Sequence, residues 1–450
     1  MEKIAKVKKF TLRGELTESL IVKFIEQHKL YCLPRLQKLE KYYENENVTI
    51  KNRTFKDTSK PNNKESHAYA AYITDTLSSY LVGKPIVYTS ENKELLKVIT
   101  DLYNYNDSED NDMEIAKNCS KFGIAFEVLY IDENKEIRFK AFDTKECIPI
   151  FESGLNGYLK CLIRYYEEED IETGNKVTYV EVYDKTGVSY YTYNVTLKLT
   201  NVVETYFDDV PVNIYVNNSS WMGDFEKVLD QIDAYDKQCS NSLNDEDYFC
   251  DAYMLFKNTD IDSSNMTVEE MRERRIIEVG DAEPGVDVDV SWLTKDQTNQ
   301  DGENRKNRTV AEIHKLSCVP NLDPSAFVSH TTASHVYYSL LSTENLVSAK
   351  EKKFKKGLQA RLEKIIYYLN WINGTSYDYR EINISFTRNI PQALESIADP
   401  ISKLRGLVSD EWLLSKIPGM TDIEAEMKRR EKQNSMKSEY DELEDKELED

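Results

Sequence analysis

Two long stretches of apolar residues at helical spacing constrain the fold of this chain more than any other feature of its sequence. They cover residues 224–247 and 333–371, and in both the apolar positions recur every three or four residues. At a rise of about 1.5 Å per residue they predict helices of about 36 Å and about 58 Å. Gly357 is a weak point within the second helix. The other face of the first helix is acidic and carries Asp224, Glu226, Asp230, Asp233, Asp236, Asp245, Glu246 and Asp247.

Shorter elements fill the rest of the chain and predict an α+β fold. Residues 16–43 and 93–120 show helical spacing, and the helix between them ends at Gly83, followed by Pro85, which is ordinary helix-stop chemistry. A strand-rich block follows over residues 122–217. The other predicted elements are helices at 267–274 and 301–317, and strands at 86–88, 126–131, 137–139, 158–166, 177–183, 187–193, 252–257, 275–279, 286–290 and 382–387.

The chain is long and acidic. Its 450 residues predict two or more domains, and 58 basic against 80 acidic side chains give a formal net charge of −22. A protein that holds DNA by neutralising phosphates has a basic patch or stripe, so this balance excludes a general polyanion binder. It suits a surface past which DNA slides, and it suits an ordinary soluble acidic protein equally well.

Cysteine spacing and hydropathy indicate the cellular compartment in which the protein is made. The seven cysteines show no CxxC spacing, which predicts free thiols in a reducing cytosol. No run approaches the roughly 20 apolar residues that span a bilayer. The basic first residues also lack the apolar run of a signal peptide. We therefore expect a soluble, intracellularly made protein without membrane contact.

The sequence contains no motif that indicates a catalytic, cofactor or metal site. Gly83-Lys84 lacks the upstream glycine and the following Ser or Thr of a phosphate-binding loop. His314 and Cys318 have the spacing of metal ligands on one helix face, but without a second pair a coincidence at a helix end is favoured. We therefore expect no cofactor, no metal and no catalytic residue.

Two other groups leave alternatives open. The run Lys350–Lys356 is the most basic segment, and it could meet DNA or an acidic neighbouring subunit, or equally be a solvated helix face. His330 and His335 could sense pH or contact phosphate, although loop polarity is the favoured explanation for both.

Seven strings spread along nearly the whole chain resemble the portal proteins of tailed bacteriophages, of the SPP1 type. They are RLQKLEKYYENEN (35–47), the string that ends in YLVGKP (80–85), FGIAFEVLYID (122–132), VPVNIYVNN (210–218), FEKVLDQIDAYDKQCSNSLND (225–245), ISFTRNIP (384–391) and LVSDEWLLSKIPGMTDIEAE (407–426). No single string is decisive, but seven in the same order are a strong signal. One departure is TASHV at 332–336, where the family tends to have a small S-G-x-A-L start to its long helix.

The resemblance implies a portal fold with an α/β wing, a long helical stem, a small α/β clip and a helical crown, assembling as a ring. The implied divisions are the wing at 1–220, stem helix at 221–249, clip at 250–300, second stem helix at 301–317, tunnel loop at 318–332, long spanning helix and returning strand at 333–390 and crown helices at 391–436. The last segment, 437–450, is almost all charged, and this composition predicts a disordered acidic tail.

A non-enzymatic function follows from the resemblance. It implies a dodecameric ring at the capsid vertex of a virion, made in the host bacterial cytoplasm, through which genomic DNA is packaged and ejected. The implied partners are double-stranded DNA bound without sequence preference, the terminase large subunit, scaffold and major capsid proteins, and a head-completion or adaptor protein. ATP hydrolysis would belong to a separate motor.

Two sets of residues are candidates for facing DNA. The tunnel loop would contact the DNA backbone through Asn321, Asp323, Ser325, Phe327, Ser329, His330 and Thr331. On the stem, Asp230, Asp233 and Asp236 would line the channel and repel phosphates over about 8 Å, the Debye length at physiological salt. The alternative for this acidic stripe is a helix that merely faces solvent.

Two rival classes of protein are weaker interpretations of the same sequence. One is an acidic intracellular α+β enzyme without a recognisable motif, in which the two long helices would pack in a monomeric bundle. The other is a head–tail adaptor, which the chain length and the complete series of portal-like strings disfavour.

Overall fold

The computed structural model places the chain in two compact units. The described residues are 8–57, 60–155, 157–169, 171, 174–249, 253–257, 267, 270–271, 276–279, 289–293, 300–321, 340–389, 402–414, 426–430 and 432–433. The first unit is made of Met1–Ser329 and Tyr338–Arg388, and the second of His330–Tyr337 and Asn389–Asp450. Within the described ranges, no helix combines the length and the apolar character that crossing a membrane requires.

The amino-terminal part of the first unit is helical. Its helices are α1 (Glu18–Tyr31), α2 (Leu33–Tyr43), α3 (Val48–Lys51), α4 (Tyr69–Val82), α5 (Lys93–Tyr105) and α6 (Ser108–Phe122). The helical character predicted over 16–43 is confirmed, and the stretch is divided into α1 and α2 because Pro34, in the first turn of α2, has no N–H to continue α1. The prediction that α4 ends at Gly83 is confirmed.

The helical stretch predicted over 93–120 is likewise divided, into α5 and α6. Asp107 has a φ of 48°, in the left-handed region, and this turns the chain between α5 and α6. The Asn106 side chain holds the turn, since its Nδ2 donates to the carbonyl oxygens of Leu102 and Ile137, each at 2.9 Å. Apolar spacing continues across this break, which is why periodicity did not reveal it.

The strands of the described residues form four sheets. In chain order they are β1 (Phe10–Leu12), β2 (Val87–Thr89), β3 (Ile124–Ile131), β4 (Ile137–Phe142), β5 (Cys147–Glu152), β6 (Leu159–Glu169), β7 (Lys176–Asp184), β8 (Gly187–Tyr193), β9 (Leu197–Glu204), β10 (Val212–Val216), β11 (Tyr253–Lys257), β12 (Ile276–Val279), β13 (Asp289–Leu293) and β14 (Asn383–Ser385). The sheet orders are β1-β5-β6-β7-β8-β9, β10-β3-β4, β12-β11-β13 and β14-β2.

The six-stranded sheet packs one face against α1. Its first pair, β1 and β5, is parallel, and each later pair is antiparallel. Ile21 and Ile25 of α1 share a buried cluster with Ile148, Ile163 and Val180 of the sheet. Strand β9 lies at the opposite edge and is exposed along almost its whole length. Strands β1, β5 and β9 were not predicted from the sequence, while the predictions for β6, β7 and β8 are confirmed.

The longest helix lies across the antiparallel sheet β10-β3-β4. The long helices are α7 (Leu229–Phe249), which follows a 3-10 turn at Phe225–Val228, α8 (Gln300–Ser317) and α9 (Leu341–Asn373). A Cβ at Gly357 of α9 would lie 2.3 Å from the ring of Tyr215 on β10. The glycine that sequence analysis identified as a weak point is therefore a position of close approach between helix and sheet.

The remaining described elements are small. In the segment predicted as the clip, β11 pairs in parallel with β12 and antiparallel with β13. The described part of the third strand is Asp289–Leu293, and residues 286–288 of the predicted strand 286–290 lie outside the described residues. The second unit contains α10 (Asp410–Leu414), whose Asp410 pairs with Arg430 at 3.0 Å. The predicted acidic tail at 437–450 lies outside the described residues.

Candidate functional site

The long helix α9 buries three cationic side chains in the first unit. Arg361 is fully buried, and Lys350 and Lys364 are only 5% and 7% exposed. Because an unpaired buried charge is strongly destabilising, each of these cations requires an acceptor from another element. The acceptors come from α6, β3, β10 and the residue before the turn that leads into α7. The polar contacts of these three cations therefore hold α9 against the rest of the unit.

Arg361 lies between two carboxylates. Its Nη2 donates to Asp112 Oδ1 at 2.5 Å and to Glu127 Oε1 at 2.6 Å, and its Nε donates to Glu127 Oε2 at 3.0 Å. The guanidinium also lies 4.5 Å from the centre of the Phe139 ring. Glu127 accepts further hydrogen bonds from Asn111, Asn213 and Tyr215. This network fixes the position of α9 relative to α6 and the sheet.

The two buried lysines also donate to acceptors on other elements. Lys350 donates to Asp224, which precedes the turn into α7, and Lys364 Nζ donates to Asn213 Oδ1 at 2.9 Å. Burial lowers the pKa of Lys364. Of the run Lys350–Lys356, Lys352 and Lys356 are exposed, whereas Lys350 is committed to the interior. The alternatives left open for this run therefore apply to its exposed members.

The fold divides the acidic face that was predicted on the first long helix. Asp224 pairs with Lys350, as described, and Glu226 pairs with Arg35 at 2.6 Å with both side chains almost fully buried. Asp233 accepts hydrogen bonds from Tyr42 at 2.7 Å and from Thr49 at 2.9 Å. Asp224 holds the turn before α7 to α9, whereas Glu226 and Asp233 hold this segment to α2 and α3, so these acids do not form one exposed stripe.

Asp236 lies in the interior of the unit. Its side chain is fully buried and accepts from Asn47 Nδ2 at 2.6 Å, from His67 N at 3.1 Å and from His67 Nδ1 at 2.9 Å. Burial raises the pKa of this carboxyl group. The expectation that Asp236 stands on an exposed acidic face is wrong, because donors from two earlier segments enclose it. Asp230 is exposed, and its channel-lining role stays a prediction.

A set of hydrogen bonds joins the two ends of the segment 322–339. Thr343 Oγ1, at the start of α9, donates to the carbonyl oxygen of Cys318 at 2.6 Å. Tyr72 of α4 donates its hydroxyl to the carbonyl oxygen of Pro320 at 2.9 Å. We call Tyr72, Cys318, Pro320 and Thr343 the loop base. It brings the end of α8 and the start of α9 together beside α4.

His314 closes the end of α8. Its Nδ1 lies 3.2 Å from the carbonyl oxygen of Val319, and its ring packs edge-on against Tyr69 and Tyr72. Burial lowers the pKa of His314. Cys318 has a φ of 60°, in the left-handed region that ends a helix. The spacing of His314 and Cys318 thus coincides with a helix terminus.

Two of the portal-like strings meet at one ion-pair cluster on α9. Arg388 of ISFTRNIP bonds Glu344 at 3.0 Å and Glu351 at 2.6 Å, both on α9. Tyr80 of the YLVGKP string donates its hydroxyl to Glu344 Oε2 at 2.9 Å. Burial opposes ionisation of Glu344, but the hydrogen bonds from Arg388, Ser348 and Tyr80 leave its pKa lowered. FEKVLDQIDAYDKQCSNSLND reaches the same helix through the residue before it, Asp224.

Most of the predicted DNA-facing residues lie outside the described part of the chain. They are Asp323, Ser325, Phe327, Ser329, His330 and Thr331, and His335 is outside it as well. Asn321 is described and directly follows Pro320 of the loop base. The contacts of these residues with DNA stay predictions.

The residues that carry the buried network were not predicted from the sequence. One signal was available, since Glu127 is a charged residue inside the apolar string of β3. A charge in a buried strand requires a partner, so the string predicts a basic residue elsewhere. Nothing in the local pattern identifies that residue as Arg361, which is 234 positions away.

Comparisons with known proteins agree over most of the chain. Residues 22–440 match the family described as phage portal protein, SPP1 Gp6-like. The portal protein of Bacillus phage SPP1 is 25% identical over 455 residues, covering 93% of this chain and 87% of that protein. The portal protein of Clostridium phage phiCD119 is 25% identical over 414 residues, covering 85% and 89%. Among solved structures, a chain from the neck of an empty GTA particle is similar with a TM-score of 0.45 and 8% identity, over 77% of this chain and 88% of that chain.

Proposed function

The chain belongs to the SPP1 Gp6-like family of phage portal proteins, and from this membership we propose that it forms a dodecameric ring at a capsid vertex through which genomic DNA is packaged and ejected. In this role it nucleates head assembly with the scaffold and major capsid proteins, and it docks the terminase large subunit and a head-completion or adaptor protein. The observation that carries the proposal is the family match, which includes both long helices and the segment between them.

The loop base supports the assignment of 318–332 as the tunnel loop. A loop that meets DNA in a channel needs ends fixed to rigid elements, so that its position is set by the fold. The Thr343–Cys318 and Tyr72–Pro320 hydrogen bonds supply this, since they join α8, α9 and α4 at one place. In this role Asn321 and the loop residues after it face the DNA backbone.

Ring assembly requires surface that a single subunit leaves exposed. Strand β9 is an edge strand, and its Leu199, Val202 and Val203 are 47%, 56% and 46% exposed. Edge strands with exposed apolar side chains are ready sites for association. Native mass spectrometry with negative-stain images of the purified protein tests the proposal. A closed ring of about a dozen chains with a central hole is the expected result, and a monomer that stays monomeric with scaffold protein present contradicts it.

Channel electrostatics are tested at Asp230. In our proposal its exposed carboxylate faces the channel and keeps DNA from adhering to the stem. Asp230→Lys should therefore lower the yield of nuclease-protected genome while rings still form. Asp101→Lys, at an exposed position on α5, is the matched control and should package normally. Normal packaging by the Asp230 variant rules out a channel role for that residue.

The exposed lysines of α9 have a separate test. Lys352 and Lys356 are four residues apart and exposed, so Lys352→Glu with Lys356→Glu reverses two charges without disturbing Lys350. The same changes at Lys93 and Lys97, also exposed and four apart on α5, form the control. A packaging or assembly defect confined to the α9 pair indicates contact with DNA or a neighbouring subunit. Normal packaging and assembly by both double variants would indicate that Lys352 and Lys356 lie on a solvated face of α9.

The rival hypothesis, an acidic α+β enzyme, is weaker after the family match. It predicted that the two long helices pack in a monomeric bundle. Instead, α9 packs on the sheet β10-β3-β4 through Gly357 and Tyr215, and it pairs with that sheet through Arg361.

A further inference from the structure

A histidine, a cysteine and a glutamate come together where the segment before α4 meets α7. The ligand atoms of Glu65, His67 and Cys239 all lie within 4.8 Å of one another. Glu65 Oε1 is 3.6 Å from His67 Nε2. In a tetrahedral zinc site with bonds of about 2.0–2.1 Å, neighbouring N and O ligands are about 3.3 Å apart. The cluster is therefore close to ligand spacing before any metal binds.

The orientation of His67 leaves its Nε2 available. Its Nδ1 hydrogen-bonds Asp236 Oδ1 at 2.9 Å, and its backbone N–H donates to the same oxygen at 3.1 Å. Asp236 is itself held by Asn47 at 2.6 Å. Histidine ligands of zinc commonly donate their other ring N–H to a carboxylate in this way, which fixes the tautomer and the ring plane. Nε2 then carries the lone pair, 3.6 Å from Glu65 Oε1.

The backbone around the cluster is also fixed. The Oγ of Ser240 accepts from Glu65 N at 3.0 Å and lies 3.3 Å from Glu65 O. Ser240, the neighbour of Cys239, therefore fixes the backbone of the segment that carries Glu65. On the open side, the side chains of Glu65 and His67 are 40% and 31% exposed, whereas Cys239 is buried. A cation can reach the cluster from solvent and meet a thiol that lies inside it.

We propose that Glu65, His67 and Cys239 form a zinc-binding site in which Asp236 positions the histidine. Sulfur, imidazole and carboxylate ligands suit Zn²⁺ and not Mg²⁺ or Ca²⁺, which prefer oxygen ligands. Three protein ligands leave the fourth position for water. As the bond between sulfur and zinc forms, the Cys239 thiol loses its proton to the buffer, because zinc binds thiolate.

The site fastens the segment that leads into α4 to the middle of α7. Those elements belong respectively to the body of the unit and to the predicted stem helix. Zinc binds the folded arrangement and not the unfolded chain, so it stabilises this junction. The role is structural and independent of the proposed DNA channel.

Metal binding to the untagged full-length protein tests the proposal. After chelator treatment and dialysis, calorimetric titration with Zn²⁺ should show one ion per chain, with one proton released. Titration with Co²⁺ should produce the near-ultraviolet absorption of a cobalt–thiolate bond. Cys239→Ser should abolish that band and weaken Zn²⁺ binding by more than the about 10–100-fold that loss of an outer-shell partner costs. Cys318→Ser, a cysteine outside the cluster, should change neither.

Two conservative variants separate ligands from structural residues. Glu65→Gln should weaken Zn²⁺ binding but keep the cobalt–thiolate band. Asp236→Asn should weaken binding by about 10–100-fold with unchanged stoichiometry, as loss of a carboxylate behind a histidine ligand does. No Zn²⁺ uptake at micromolar concentrations, or wild-type binding by Cys239→Ser, overturns the proposal. If Cys239→Ser does not fold, the cobalt spectrum of the unaltered protein decides, because absence of the thiolate band also overturns it.

Discussion

Arg361 of α9 and Glu127 of β3 form a two-point ion pair from which solvent is excluded. The two hydrogen bonds are 2.6 Å and 3.0 Å long, and both side chains are fully buried. Removing the arginine leaves Glu127 and Asp112 buried without their cation. We expect Arg361→Leu to lower the free energy of unfolding by about 3–5 kcal/mol. Urea denaturation followed by circular dichroism, at one protein concentration, measures this.

The control for Arg361 is an arginine on the surface. Arg380 is exposed, so Arg380→Leu should change stability by no more than about 0.5 kcal/mol. Equal effects of the two substitutions would show that the buried pair does not hold α9 on the sheet.

Gly357 tests the close approach of α9 to β10. Glycine-to-alanine in an ordinary helix interior is stabilising by about 1 kcal/mol. Here the new methyl group meets the Tyr215 ring at 2.3 Å, and overpacking costs typically about 1–3 kcal/mol. Gly357→Ala should therefore be destabilising in thermal or urea denaturation. Gly14→Ala, where the added Cβ meets nothing within 4 Å, is the control. A stabilised Gly357 variant would contradict this packing.

The burial of His28 predicts that the stability of the protein depends on pH. The side chain is 3% exposed, its Nδ1 lies 2.9 Å from the Tyr165 hydroxyl, and burial lowers its pKa from 6.5 to about 4. Between pH 6.5 and about 4 the unfolded state therefore binds more protons at His28 than the folded state. The stabilisation from keeping His28 neutral is complete above pH 6.5 and is lost as the pH falls toward 4. From pH 7 to pH 5 the loss is about 2 kcal/mol.

The variant His28→Gln isolates that contribution. It has no imidazole to titrate, so its stability should fall less between pH 7 and pH 5 than that of the unaltered protein, by about 2 kcal/mol. Urea denaturation of both proteins at the two pH values measures the difference. Parallel losses would show that His28 does not govern the acid response.

Asp230 and Asp236 lie on the same helix and test how the fold divides its acidic face. Asp236→Asn removes the charge that accepts from Asn47 and His67, and should cost about 1–3 kcal/mol of stability. Asp230→Asn changes an exposed side chain and should cost less than about 0.5 kcal/mol. Thermal denaturation of metal-free protein compares them directly. Equal losses would mean that Asp236 is not held in the interior.

Local pattern was sufficient for the main elements and for the family. The long helices, the stop of α4 at Gly83 and the strands β6, β7 and β8 were all predicted, because backbone hydrogen bonding and apolar periodicity are properties of short segments. The order of the seven strings indicated the portal family, which the match over residues 22–440 confirms. Breaks such as the one at Asp107 were not predicted, because the residue that holds the turn bonds to a distant strand.

The sequence by itself determined which residues form helices and strands, which faces are apolar and which family the chain resembles. Only the tertiary structure decided which charged residues point inward. Asp236 and Asp230 look alike in the sequence, yet donors from residues 47 and 67 enclose one and leave the other in water. Glu65, His67 and Cys239 likewise meet only in the folded chain. The physical reason is that burying a charge is favourable only with its partners in place, and those partners come from segments far apart in the sequence.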